Sequence, residues 1–250
     1  MRYVKHRQRD SIPALFPLLF ATGTLAVLAI LWRRRAAPRA EERVTRKSAG
    51  THDVERAPRS TGPDTQTASR GAGPLIHRRY EVELPDRAMS REVVLHLMQR
   101  HLTELAPSAL ADFQKSEGSA NAFKVGDEYS ITMLGPWNGA VRVAEITSDS
   151  FTLVTLDGHP EAGHITFGVH EDAQAPLTLR VVIESWARSR DALVSVAYGT
   201  LGIGKQVQTE VWITFLQRLA ELAGVTTRPE VSITTETLPE EAVKAVDAAV

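Results

Sequence analysis

The chain has 250 residues, no cysteine and a formal net charge of -1, which excludes disulfides, thiolate metal sites and cysteine nucleophiles. Once a non-globular first third is set aside, one domain of ordinary size is the natural count. The near-neutral sum hides an asymmetry, with Arg and Lys crowding the N-terminal part and acidic residues collecting toward the C-terminus, a pattern that points to a membrane surface before nucleic acid.

Residues 1–11 form a basic tail containing Arg2, Lys5, Arg7 and Arg9. From Ile12 to Trp32 no residue is charged, and about 21 residues at about 1.5 Å each span a hydrocarbon core of about 30 Å, so a transmembrane helix is expected over 12–32. Pro13 and Pro17 fall in its first turns, where a missing N–H is best tolerated, and Trp32 falls at headgroup level. A cleaved signal peptide needs a shorter apolar core followed by a small-residue cleavage site; here Arg33, Arg34 and Arg35 follow at once, which favours a retained anchor. The flank after the helix is the more basic, so the expected topology is single-pass in the cell membrane with the following domain cytoplasmic. The N-terminal basic cluster also resists translocation, which leaves the side open.

Residues 33–74 contain scattered Pro, Gly, Ser, Thr and Arg with few aliphatic side chains, and are expected to be a disordered linker because they bury too little apolar area to offset ordering. Its basic first half either lies on anionic headgroups or is a solvated tether.

Alternation begins in HRRYEVELP, His77 to Pro85, where Tyr80, Val82 and Leu84 share one face of a strand. Ser90 is the N-cap of a helix that runs through Val94, Leu95, Met98, Leu102 and Leu105 to Pro107, and Ser108 is expected to cap a shorter helical piece, ALADFQKSEG. Short strands follow, at Glu128 to Leu134, Ala140 to Ile146 after the GPWNG turn, Phe151 to Leu156, His164 to His170 and Leu177 to Ser185, and read as an antiparallel meander. Ile165, Phe167, Val169, Leu177, Leu179, Val181 and Ile183 should face the interior. After Asp191 an amphipathic segment carries Leu193, Ala197, Leu201, Val211, Phe215, Leu219 and Leu222 at helical steps, with Gly199, Gly202 and Gly204 interrupting it and Gly224 as its stop. Residues 225–250 are expected to be a tail with a short strand near Val231 to Thr235 and a loose helix from Pro239.

Strand, two helices, a run of antiparallel strands and a long C-terminal helix form the order of a helix-grip (START-like) fold, an α+β class in which a curved antiparallel sheet wraps the last helix. The motifs VGDEYSITMLGPWNGAVRV, SFTLVTLDGHPEAGHITF, VIESWARSRD and WITFLQRLAELAG resemble the bacterial domain of unknown function numbered nineteen-ninety, over roughly residues 75–224. The GHPEAG turn at Gly158 to Gly163 is the most specific element. The resemblance implies no activity, and the helix-grip relationship rests on the order of elements.

His159, Glu161 and His164 lie close together in the GHPEAGH turn, and a metal or acid-base role is weighed there against a hairpin turn shaped by Gly158, Pro160 and Gly163. His164 and His170 stand about 20 Å apart along one strand face and do not share a metal. Glu184 and Arg142 are charges inside strands, Glu184 on the face opposite Val181 and Ile183, so surface charge is the plainer reading. Trp137 and Trp186 are either packed rings or a cavity rim. GTLGIGKQ at Gly199 to Gln206 meets the spacing of a phosphate loop without its Ser or Thr and follows no strand, so nucleotide binding is not expected. No cofactor, metal or nucleic-acid partner is called for.

Three functions are ranked. A binding module comes first, with an apolar cavity lined by Phe151, Leu153, Ile165, Phe167, Val181, Ile183, Val211 and Phe215 that accepts a lipid or other hydrophobic small molecule. A membrane-tethered domain that engages a protein partner comes second. A cyclase-like or hydratase-like enzyme, with His159, Glu161 or Glu184 as acid or base, comes third.

Overall fold

A computed structural model of the chain describes residues 40–46, 62–85, 89–133, 138–172, 174–191 and 203–239, together with Val243. The chain divides into two compact units, Met1–Pro38 and Arg39–Val250. The first, with the transmembrane helix expected at 12–32, lies outside the described residues, as do Trp137 and the Gly199 to Gly202 part of the glycine-rich stretch. Among the described residues no helix is long and apolar enough to cross a membrane.

The second unit is built on one sheet. Its strands are β1 (Ala40–Arg46), β2 (Ala72–Leu84), β3 (Ala111–Glu117), β4 (Glu128–Met133), β5 (Gly139–Ile146), β6 (Ser150–Thr155), β7 (Glu161–Glu171), β8 (Leu179–Ser189) and β9 (Val231–Leu238). They lie in the order β1-β9-β2-β8-β7-β6-β5-β4-β3. Every neighbouring pair is antiparallel except β1 with β9. The helices are α1 (Arg91–Arg100), α2 (Leu102–Leu105) and α3 (Ile203–Leu222). From β2 to α3 the expected order of strand, helical segment, antiparallel strands and long helix is present, with the first expected helix divided at His101 into α1 and α2.

Local chemistry explains the elements. Tyr80, Val82 and Leu84 are buried while Glu81 and Glu83 are not, as the alternation in β2 requires. Ser90 caps α1, its Oγ accepting from the N–H of Val93 at 3.4 Å, and Glu92 sits in the first turn, where the helix dipole favours a carboxylate. Helix α3 stops at Gly224, whose φ is +87°. There the N–H of Val225 donates to Ala220 O and that of Gly224 to Glu221 O, a Schellman closure that a residue with Cβ adopts at a cost.

Helix α3 packs on the sheet's inner face. Phe167 of β7 meets Trp212 at 5.5 Å and Phe215 at 5.6 Å between ring centroids. Tyr80, Val82, Leu84, Val143, Phe151, Leu153, Val169, Val181, Ile183, Leu216, Leu219, Val231 and Ile233 complete the main core with α1 and α2.

Leu177, expected inside, lies ahead of β8 and is exposed, and three further expectations need correction. The segment after Ser108 forms β3 rather than a helix: Ala111 and Phe113 are buried, Asp112 and Gln114 are not, a two-residue period that pairs with β4 and overrides the helix propensity of Ala, Gln and Lys. The disordered linker does not extend to Pro74. Strand β1 pairs with β9 from Ala40↔Val231 onward, Thr65, Gln66 and Ala68 are buried, and β2 begins at Ala72. The strand expected near Val231 to Thr235 is present, but it runs on to Leu238 between β1 and β2 and buries Val231 and Ile233, so the residues from 231 belong to the domain and not to a tail. Short strands of largely polar sequence carry little periodic signal, and the sheet supplies the partners that composition does not show.

Candidate functional site

The inner face of the sheet is apolar along most of its area and polar at one end. Alternation through Tyr80, Val82 and Leu84 continues back to Arg78 on the same face. Arg78 lies opposite Ser185 of β8 and Thr235 of β9, all three buried. The next inner-face residue along that row is Ile165, opposite Ser185.

Helix α3 completes the cluster. Arg78 Nη1 donates to Gln208 Oε1 at 2.6 Å and lies 3.5 Å from the Tyr80 hydroxyl. Gln208 Nε2 donates in turn to Glu161 Oε2 at 3.0 Å. The result is a chain, guanidinium to amide to carboxylate, from β2 through α3 to the start of β7. Burial pushes the Glu161 carboxyl above its usual range, opposed by the Arg78 charge and the Gln208 hydrogen bond. Burial likewise raises the Tyr80 phenol, against the pull of Arg78 and a hydrogen bond with Thr209. Glu161, Ile165, Val207, Gln208 and Thr209 are only partly buried, so the cluster sits where the sheet–helix interface reaches toward solvent.

The GHPEAG turn has a different role. Gln66 enters where β6 and β7 part: its N–H donates to Thr155 O and its O accepts from Gly163 N–H. Its side-chain amide donates to His159 O and Glu161 O, each at 2.8 Å. His159 Nδ1 accepts from the Glu161 N–H at 3.0 Å. The ring is buried, and desolvation holds the imidazole down to about 4, so it is neutral. His159 is a turn-forming side chain here, and its neighbour Glu161 is the one that reaches the cluster under the helix.

His164 and Glu184 lie on the opposite, outer face. Across that face run Glu236, His77, Trp186 and His164, paired strand to strand. His77 stacks on Trp186 with centroids 3.8 Å apart, its Nε2 meets Glu184 Oε1 at 2.5 Å and its Nδ1 meets Glu236 Oε2 at 3.3 Å. Arg79 adds a contact of 3.3 Å to Glu184. The outward parity of Glu184 is as expected, but the carboxylate is partly buried in an ion-pair network rather than solvated; its pKa is lowered because His77 and Arg79 outweigh the opposing, larger single effect of desolvation. Desolvation holds His164 down to about 4, and its Nε2 meets no hydrogen-bond partner. Arg142, the other strand charge, pairs with Asp64 and Glu128, and Trp186 is a packed ring. Thus the three acid-base candidates fall in three places: His159 in the turn, Glu161 under the helix, Glu184 outside. Among the described residues no three or more His, Asp or Glu side chains are arranged to hold a metal ion.

Of the residues expected to line a cavity, Phe151, Leu153, Phe167, Val181, Ile183, Val211 and Phe215 are buried and Ile165 partly so. The aromatic members touch one another: Phe151 stacks on Phe167 at 4.7 Å, and Phe167 tilts against Phe215. These rings pack against one another in the middle of the interface, and Ile165 is the less buried member, next to the polar end. Sequence reasoning missed Arg78 and Gln208. The signal for Arg78 was in HRRYEVELP, since the parity that sends Tyr80 inward sends Arg78 inward too; Gln208 had none.

The strand order and the helix laid on the inner face define a helix-grip type of arrangement, an antiparallel sheet with a few helices. No protein-family model matches the chain, and no curated protein matches it in sequence. Among solved structures, a conserved protein from Geobacillus kaustophilus is 12% identical with a TM-score of 0.42, covering 62% of this chain and 98% of that one. Norcoclaurine synthase from Thalictrum flavum, in complex with dopamine and hydroxybenzaldehyde, is 13% identical with a TM-score of 0.40, covering 67% and 95%. Major latex-like protein 151 of Panax ginseng is 16% identical with a TM-score of 0.33, covering 54% and 97%. Likenesses of this size carry no argument about chemistry.

Proposed function

We propose that the chain is a single-pass membrane-anchored module whose domain takes up a hydrophobic small molecule or lipid between the sheet and α3. Ile12 to Trp32 is the anchor in this reading, the lipid bilayer its partner, and the cytoplasm the side on which the domain works. Membership of the bacterial domain family numbered nineteen-ninety is part of the same proposal. The observation that supports it is the division of the inner face: a continuous apolar core ends in a partly open polar cluster, Arg78, Gln208 and Glu161, the layout of sites that hold an apolar body and fix its orientation with a few polar groups.

A second reading, a tethered interaction domain without ligand, is favoured by the direct contacts among Phe151, Phe167 and Phe215. For a cyclase-like or hydratase-like enzyme, Glu161 is the one of the three named acid-base residues that faces the helix. The test is mass spectrometry of solvent extracts from the purified full chain against an unrelated membrane-anchored control. A stoichiometric small molecule is the expected result. A blank that persists after incubation with total lipid extract overturns the binding reading and moves the search to protein partners.

A further inference from the structure

Two arginines are buried at the 5% level, Arg78 and Arg188, and they are treated differently by the fold. Arg188 spends its donors on main-chain oxygens, Nε to Gly73 O at 2.7 Å and Nη1 toward Ala68 O at 3.4 Å. It ties β8 to β2 and to the short 3-10 helix Ala68–Arg70. Arg78 has no such tie. Its Nη1 is used by Gln208 and Tyr80, its Nε is buried without an acceptor, and no carboxylate of the described residues makes an ion pair with it. The Glu161 carboxyl is linked to it only through the amide of Gln208.

A buried guanidinium left without a direct counter-charge is costly, and an unmet N–H on it adds to that cost. An amide relay satisfies one edge of the fork. The Nε edge is the one suited to a planar acceptor pair, because guanidinium and carboxylate match two bonds to two oxygens. Ser185 and Thr235 flank the same position on the neighbouring strands, and the apolar face begins at Tyr80 and Ile165 beside it.

We propose that the guest of this domain is an amphipathic carboxylate: its carboxylate docks on the Nε edge of Arg78, and its apolar body lies along the inner face past Ile165. This rests on the binding reading above and adds the chemical class of the head group. In the unliganded protein Glu161, through Gln208, supplies part of the counter-charge that the guest's carboxylate supplies directly when bound.

The test uses the full chain in a nonionic maltoside, titrated with 2-naphthoate and with 2-naphthylmethanol, two probes of one apolar body that differ in head group, with detergent alone as blank. The expected result is that the carboxylate binds at least about tenfold more tightly than the alcohol, the size of effect a charge-assisted bidentate pair supports. Arg78→Gln removes that difference. Glu161→Gln, which keeps shape and hydrogen bonding but removes the internal counter-charge, strengthens naphthoate binding several-fold relative to the alcohol, so the proposal stays testable even if the Arg78 variant does not fold. Equal affinity of both probes, or naphthoate binding indifferent to Glu161→Gln, overturns the head-group assignment while leaving the binding reading intact. Failure of both probes to bind overturns the two together.

Discussion

Mild acid should destabilise this domain through its two buried neutral histidines. His159 and His164 are both held down to about 4 from an ordinary value of 6.5, first of all by desolvation. Between those two values the unfolded chain binds more protons than the folded one at each site, so stability rises with pH across the window and is lost as pH falls through it. One pKa unit is about 1.4 kcal/mol, so each histidine withdraws about 2 kcal/mol at pH 5 and about 3 kcal/mol once pH is below 4. Together they remove a large share of a typical domain's 5–15 kcal/mol. The charges around them set the remainder: Arg190 lowers His159 further, while at His164 the Glu184 carboxylate raises the pKa and His77 lowers it. Glu184, with its lowered pKa, contributes stability that is lost as pH drops below 4.5. Glu161 opposes the trend, because a raised carboxyl pKa makes folding more favourable as pH falls from above toward 4.5. Urea unfolding of the chain at pH 7 and pH 5 should show the midpoint falling, and His159→Asn and His164→Gln should each remove about half of the fall. A midpoint that is the same at both pH values, or a slope that survives both substitutions, refutes the reasoning.

Gln66→Ala removes both amide bonds to the carbonyls of His159 and Glu161 and should cost about 2–4 kcal/mol in urea unfolding, while a chain beginning at Leu75 should lose cooperative unfolding because Thr65, Gln66 and Ala68 go with the deleted part. Gly163→Ala should cost more than about 3 kcal/mol, since a Cβ there would strike the Trp186 carbonyl and its φ is +155°; an unchanged thermal midpoint would contradict the close approach. Lys115 threads its ammonium among Ser119 O, Ala122 O and Asp127 Oδ2, so Lys115→Met should cost about 3 kcal/mol by stranding buried Asp127, and adding Asp127→Asn should recover part of the loss.

What the sequence disclosed depended on period. The face of β2 was legible because Tyr80, Val82 and Leu84 alternate with charged residues, and the stop at Gly224 because only glycine settles cheaply at such a φ. The hairpin reading of GHPEAG was legible from its glycines and proline, but not the clamp, because Gln66 is remote in sequence and glutamine has no turn signature. β1 was obscured for a related reason: it is polar and becomes a strand by pairing with a segment far away, whereas the start of β9 was legible and only its reach to Leu238 was not. Glu161 was singled out for its neighbours in the turn, while its chemical partners, Arg78 and Gln208, come from β2 and α3. A cluster assembled across the sheet–helix interface leaves no spacing to read.

The parallel seam between β1 and β9 also fixes an order of assembly. Residue 40 must wait for residue 231, and β2, which needs both β8 and β9, waits nearly as long, whereas the hairpins from β3 to β8 close between near neighbours. Contacts of such long sequence separation form late, after the loop-closure entropy has been met. During synthesis the meander is therefore the first part of the sheet able to collapse, with its β8 border unpaired, and an unpaired border is where nascent chains associate wrongly. The strand that finally seals that border, β2, emerged long before it.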